Sequence, residues 1–192
     1  MKEKSNDKFL DQLKELIVSI VIAFVVVIVV TQFIFIPVKV VGPSMEPTLH
    51  NKNLGFSNVF KMKTSEIERF DIVVIEVKEQ HKNLVKRVIG LPGDTIYYEK
   101  DRLYVNGQVV EEPFLDPEFM EEQKILKGSQ LFTLKMETPV LVPEGEYFVM
   151  GDNRLNSSDS RDSDYGTFKK SDFRSKSIYV YYPFNEMRKE GK

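Results

Sequence analysis

TIYYEKDRLYVNGQVV, residues 95–110, reads as strand, turn and strand, closed by the pair Asn106-Gly107. Both residues tolerate a left-handed backbone, and Asn-Gly between alternating apolar residues is the strongest short hairpin signal. Similar runs lie on either side. FDIVVIEV, residues 70–77, is nearly all apolar and β-branched, which predicts a buried strand. NLVKRVIG, residues 83–90, is another strand, and LPGD, residues 91–94, is the turn after it. YFVMGD (147–152) and SIYVYY (177–182) add two more. The expected fold is mainly β, an antiparallel and barrel-like sheet domain. Residues 111–131 are charged and carry Pro113 and Pro117, so a variable insertion with room for a short helix is expected there.

The 192-residue chain suits one moderate domain, and a 42% hydrophobic content is enough for a core. Its formal charge of −2 gives no basic field, so no nucleic acid partner is expected. With no cysteine, the chain has no disulfide, thiolate nucleophile or thiolate metal ligand. No cofactor and no metal site is expected.

LIVSIVIAFVVVIVVTQFIFI, residues 16–36, contains no charged residue. About 20 apolar residues suffice to cross a bilayer as a helix. The run has no polar face, which argues against a core helix. It ends in TQFIFIPV without a small-x-small site, which argues against a cleaved secretory signal. A single uncleaved transmembrane helix is therefore expected. Lys2, Lys4, Lys8 and Lys14 precede it, and only Lys39 and Lys52 follow closely. The excess of lysine on the amino side predicts a cytoplasmic segment 1–15 and an extracytoplasmic domain 37–192, with membrane lipid as a partner.

VVGPSMEPTLH, residues 40–50, holds Ser44 between a proline and a methionine in a stiff loop. A serine hydroxyl is a weak nucleophile until a base lies beside it. Of the two histidines, His50 falls in a polar turn and His81 at a charged loop tip, and neither has surroundings that would shelter an imidazole. A triad assembled in space remains open. Lysine is the other choice. At its ordinary pKa about one lysine in 2,500 is neutral at pH 7, and a useful base needs a pKa nearer 7–8. Burial supplies such a shift. In NLVKRVIG, alternation places Leu84, Lys86 and Val88 on one face and Val85, Arg87 and Ile89 on the other. Periodicity does not choose between the two cations. Chemistry favours Lys86, because arginine does not give up its proton.

Taken in order, the apolar run, GPSMEPTL, FDIVVIEV, VKRVIGLPGD and GDNRLNSSDSR resemble the type I signal peptidases, most closely their Gram-positive bacterial branch. These are membrane-anchored serine proteases with a Ser/Lys dyad, and the likeness spans residues 16–182. It implies that Ser44 is the nucleophile and Lys86 the general base. It implies that Ser157 is the second serine that hydrogen-bonds the lysine, and that Asp159 and Arg161 are the supporting acid and arginine. Asp152 and Asn153 take a structural role at the start of their motif. Two departures stand out. Gly42 occupies a position where some members carry a serine that helps hold the oxyanion, which leaves the Ser44 N–H and a donor not identified. RFD carries Phe70 where the family usually has glycine, the residue best suited to positive φ.

The resemblance also implies the substrates: signal-peptide-bearing preproteins, cut after a small-x-small motif. Val38, Val40, Met45, Leu49, Leu84 and Val85 flank the dyad in sequence. As apolar walls they would leave room for small substrate side chains only, and they are the expected substrate-binding residues. YVYYPF, residues 179–184, is either a core strand or a contact with the membrane interface. Two other functions compete. A self-cleaving protease like the SOS-repressor family would need a DNA-binding domain, and the apolar run stands in its place. A catalytically silent, signal-peptidase-like membrane scaffold for surface-protein assembly would be marked by loss of Ser44 or Lys86, and both are present.

Overall fold

The computed structural model describes residues 3–134 and 136–191; Lys2 of the basic flank lies outside them. Helix α1 (Glu3–Val29) is followed by a π-helical turn, Val30–Ile34, and by strand β1 (Phe35–Lys39). The helix thus begins well before the apolar run and stops short of its end. Pro37 explains the stop: it has no N–H to offer, and it disfavours helical backbone at Ile36. The stretch Asp11–Val29 is long and apolar enough to cross a membrane.

The remaining elements are β2 (Leu54–Asn58), α2 (Val59–Thr64), β3 (Ile72–Val77), β4 (Lys82–Gly90), β5 (Thr95–Glu99), β6 (Arg102–Val105), β7 (Gln108–Val110), α3 (Pro117–Lys127), β8 (Val140–Leu141), β9 (Glu146–Met150), β10 (Phe168–Lys169), β11 (Phe173–Tyr182) and β12 (Arg188–Glu190). They form two antiparallel sheets. The larger runs β1-β2-β11-β3-β4-β9-β10, with β12 added to β11, and the smaller runs β7-β6-β5-β8. The larger order is open, with β1 and β10 at its ends.

β3 is buried on both faces along its apolar run, residues 72–75, with Glu76 partly exposed near its end. Val73, Ile75 and Val77 join Val88 and Val149 in one cluster. Ile72 and Val74 join Val40, Met45, Leu49, Ile178 and Val180 in a second. A third cluster, including Ile89, Ile96, Tyr98 and Phe148, ties the ends of β4 and β9 to the small sheet. Asn106 and Gly107 both take positive φ, the geometry of a tight hairpin turn. Within 111–131, Asp116 caps α3 by accepting from the N–H groups of Glu118 and Phe119, Pro117 opens the helix, and Gly128 ends it in the left-handed region.

Candidate active site

Ser44 lies in the loop between β1 and β2. The Glu46 N–H donates to Pro43 O and the Leu49 N–H to Met45 O, which closes the nucleophile turn on itself. Met45 and Leu49, 1% and 0% exposed, peg the turn into the core. The Asn153 N–H donates to Ser44 O at 3.1 Å, tying the turn to the loop after β9.

Lys86 sits mid-strand in β4 opposite Val73. It is 2% exposed, and its Nζ lies 2.9 Å from Ser44 Oγ. Burial depresses its pKa to about 8, and the neighbouring Arg161 and Lys82 act in the same direction, while Asp159 and Asp152 oppose them. At pH 7 roughly a tenth of the molecules then hold a neutral amine, against about one in 2,500 for free lysine. The histidines are engaged elsewhere or remote: His50 Nδ1 lies 2.9 Å from Glu186 Oε2, and His81 is exposed at the β3–β4 tip.

The Asp159 carboxylate is fully buried. It accepts from Arg161 Nε (2.8 Å) and Nη2 (2.9 Å), from the Gly151 N–H (3.0 Å) and from the Ser157 hydroxyl (2.7 Å). Burial alone would raise its pKa, but the Arg161 bonds and charge, with the other donors, hold it below the usual carboxylate range. The resemblance has Ser157 bonding the lysine, whereas here its hydroxyl donates to Asp159. Ser157 nonetheless borders the nucleophile. A Cβ on Gly151 would lie 2.3 Å from both Ser157 Oγ and Ser44 O, so only glycine lets the two loops meet.

Arg87 points away from Lys86, as alternation requires, and braces the same turn. Its Nε and Nη2 donate to the two oxygens of buried Asp152 at 2.8 and 2.6 Å. Its Nη1 donates to Phe70 O and its Nη2 to Thr48 Oγ1, while its guanidinium lies 3.9 Å from the Phe114 ring centre. Asp152 thus accepts from Arg87 and from the Thr48 hydroxyl, joining β4 to the nucleophile turn. The side-chain Oδ1 of Asn153 is buried and has no partner among the described residues. Gly42, at φ 88°, has its N–H bonded to Asn51 Oδ1 and is not the second oxyanion donor. The Ser44 N–H has no acceptor among the described residues.

The six expected wall residues divide. Val40, Met45 and Leu49 are core, with little surface to offer a substrate. Val38 and Val85 pack partly buried against that cluster, and Leu84 against the one on the other side of β3. Sequence reasoning missed Arg87, Thr48 and a buried group in which Arg154 bonds Glu112 and the Tyr98 hydroxyl. An arginine beside the lysine on a buried strand, and another closing GDNR, were the available signals.

An antiparallel β domain that sets a buried lysine against a serine hydroxyl has the parts of a serine peptidase of the Ser/Lys kind. The family model for signal peptidase, peptidase S26, matches residues 13–182. Signal peptidase I S of Bacillus subtilis is 46% identical over 172 residues, covering 89% of this chain and 90% of its own length. Signal peptidase I of Bacillus amyloliquefaciens is 42% identical over 190 residues, covering 98% and 97%. A solved structure of a signal peptidase I from Enterococcus faecalis is 32% identical with a TM-score of 0.48, covering 58% of this chain and 97% of that one. The chain belongs to the signal peptidase family, peptidase S26.

Proposed function

We propose that the chain is a membrane-anchored serine endopeptidase that removes N-terminal signal peptides from exported preproteins after a small-x-small motif. Family membership and the signal peptidase I relatives support the reaction. One observation carries the mechanism: the buried Lys86 amine, with a pKa near 8, within hydrogen-bond distance of Ser44 Oγ. Neutral Lys86 takes the Ser44 proton as the oxygen attacks the scissile carbonyl. The Ser44 N–H faces the developing oxyanion. The lysinium, transiently steadied by Asp159 and Asp152, then protonates the leaving amine. A water deprotonated by the same lysine hydrolyses the ester. Ser157, Asp159 and Arg161 keep the lysine and the two loops in register. Val38, Leu84 and Val85, the wall residues with surface left, border the substrate's small side chains.

The lysine excess before the apolar run supports an amino terminus in the cytoplasm and a catalytic domain outside. A site held near the bilayer meets signal peptides at raised effective concentration.

Cleavage of a purified preprotein in detergent tests the dyad. Ser44→Ala and Lys86→Ala each lose at least about a thousandfold in kcat/KM, since nucleophile and base act as a unit. For wild type, kcat/KM rises about tenfold per pH unit below 8 and levels off above it. A profile flat from about pH 6 to 9, or an active Lys86→Ala, would remove lysine as the base.

A further inference from the structure

The family match ends at Tyr182, yet the residues after it reach the nucleophile turn. Beyond β11 the chain makes one 3-10 turn, Phe184–Glu186, and returns as β12, pairing Arg188 with Val180 and Glu190 with Ile178. That return lays two side chains against the loop that carries Ser44. Arg188 Nη2 donates to Thr48 O, while its Nη1 donates to Glu186 O at 3.1 Å and its Nε to Glu190 Oε1 at 2.8 Å. Glu186 Oε2 lies 2.9 Å from His50 Nδ1 and accepts from Asn53 Nδ2 at 3.1 Å. These bonds from Asn53 and His50 hold the Glu186 carboxyl below the usual range. Asn53 is buried, and its Oδ1 accepts from the His50 N–H.

Thr48 is the point where two supports meet. Its hydroxyl donates to Asp152 and receives Arg87 from the catalytic side, while its carbonyl receives Arg188 from the tail. Ser44 lies one turn away, joined to Thr48 through the closed Met45–Leu49 hydrogen bond. Without Arg188, the Thr48 end of the turn keeps only its Asp152 and Arg87 contacts, and the Asn153 bond to Ser44 O and the buried Met45 and Leu49 side chains are left to hold Ser44 Oγ against Lys86. A carbonyl accepting from a charged guanidinium is a stronger hold than one facing water.

We propose that Arg188 is a positioning residue, and that with Glu186 it makes the C-terminal return a strap holding the nucleophile turn at attacking distance from Lys86. The inference rests on the peptidase reading above. It concerns alignment of the serine, not the base: the Lys86 pKa is set first by burial and then by the charges of Asp159, Arg161, Asp152 and Lys82, none of them in the strap.

The test uses full-length protein in detergent and a synthetic peptide with an Ala-x-Ala site. Arg188→Ala is expected to lower kcat about tenfold while KM stays within about twofold, because small displacements of a nucleophile act on the rate constant. The pH midpoint should stay where wild type has it, near 8. Arg188→Lys, which can still donate to Thr48 O, is expected to recover most of kcat. Glu186→Gln, which keeps an acceptor oxygen but not the charge, should fall between wild type and Arg188→Ala. Thermal melting of each variant is measured alongside. Wild-type kcat in Arg188→Ala overturns the proposal. So does a loss that follows the fraction unfolded and vanishes at lower assay temperature. Ser44→Ala in the same assay separates the two readings: if it cleaves, the peptidase mechanism fails, and if it is inert while Arg188→Ala is fully active, only the strap fails.

Discussion

At neutral pH most Lys86 side chains carry a proton that their surroundings resist, since burial holds the pKa near 8. The charged form is disfavoured in the fold by about 3 kcal/mol relative to the unfolded chain. Between pH 8 and the unfolded lysine value the unfolded state binds the extra proton, so stability rises with pH across that window. Below pH 8 the full penalty is present. Lys86→Met keeps the volume and removes the charge, so the variant should be inactive yet more stable than wild type by up to about 3 kcal/mol at pH 6. The difference should shrink as pH approaches 10. Unfolding midpoints in detergent at the two pH values check this, and equal midpoints at pH 6 would mean that Lys86 is not desolvated in solution. The candidate dyad was legible because only lysine among the two cations of NLVKRVIG can act as a base. The partners of that site were not. Nothing in the spacing said that Arg87 would grip Asp152, or that Arg154 would find Glu112 more than forty residues back, since each pair is made by sheet topology.

The turn entering β3 shows how an element can keep a backbone its sequence disfavours. Phe70 has φ 73°, the left-handed conformation that glycine adopts freely and phenylalanine rarely does. Phenylalanine here therefore adopts the backbone region that suits glycine best. Its N–H donates to Val88 O, its carbonyl accepts from Arg87, and its ring meets Phe114 edge-on at 5.1 Å. Packing and hydrogen bonds offset a strain of about 1–2 kcal/mol. Phe70→Ala and Phe70→Gly both lose the ring, but only glycine relieves the strain. Phe70→Gly should be the more stable of the two by about 1 kcal/mol, the reverse of the usual order. Chemical unfolding of the pair decides it, and an alanine variant at least as stable would show the turn relaxing out of the left-handed region. Elements with strong local signals, such as β3 and the Asn106-Gly107 hairpin, were legible for the same reason that this turn was not. Alternation and turn chemistry are local, whereas Phe70 is held by residues distant in sequence. The short strands β8, β10 and β12 were also hidden, because pairing partners define them more than their own two or three residues do.

Over the whole molecule, the anchor and the large sheet are continuous. The π-helical turn runs directly into β1, an outer strand of that sheet, and β1 pairs with β2 and β2 with β11. Exposed aromatic side chains lie around this joint, Phe33, Phe56 and Tyr179, and others follow along β11 at Tyr182, opposite Leu54, and at Phe184 beyond it. Val30, Phe35, Phe56 and Tyr179 line an apolar cleft of about 270 Å³. Tyr181 is not part of the exposed set, because it stacks on Phe56 at 4.9 Å, so YVYYPF is both core strand and surface. A face of this kind at the foot of a membrane helix suits the bilayer interface, where aromatic rings are favoured. A domain beginning at Phe35, without the anchor, should float with lipid vesicles, and replacing Tyr182 and Phe184 by serine should reduce the bound fraction about tenfold. Undiminished binding would take this face out of the membrane contact. The full-length double variant adds a second reading. If the face only orients the domain on the bilayer, cleavage of a short soluble peptide should be unchanged. Processing of a preprotein held in the same membrane should fall, because the gain from confining enzyme and substrate to one surface depends on geometry that lets them meet. Equal losses on both substrates would instead place the defect in the catalytic domain itself.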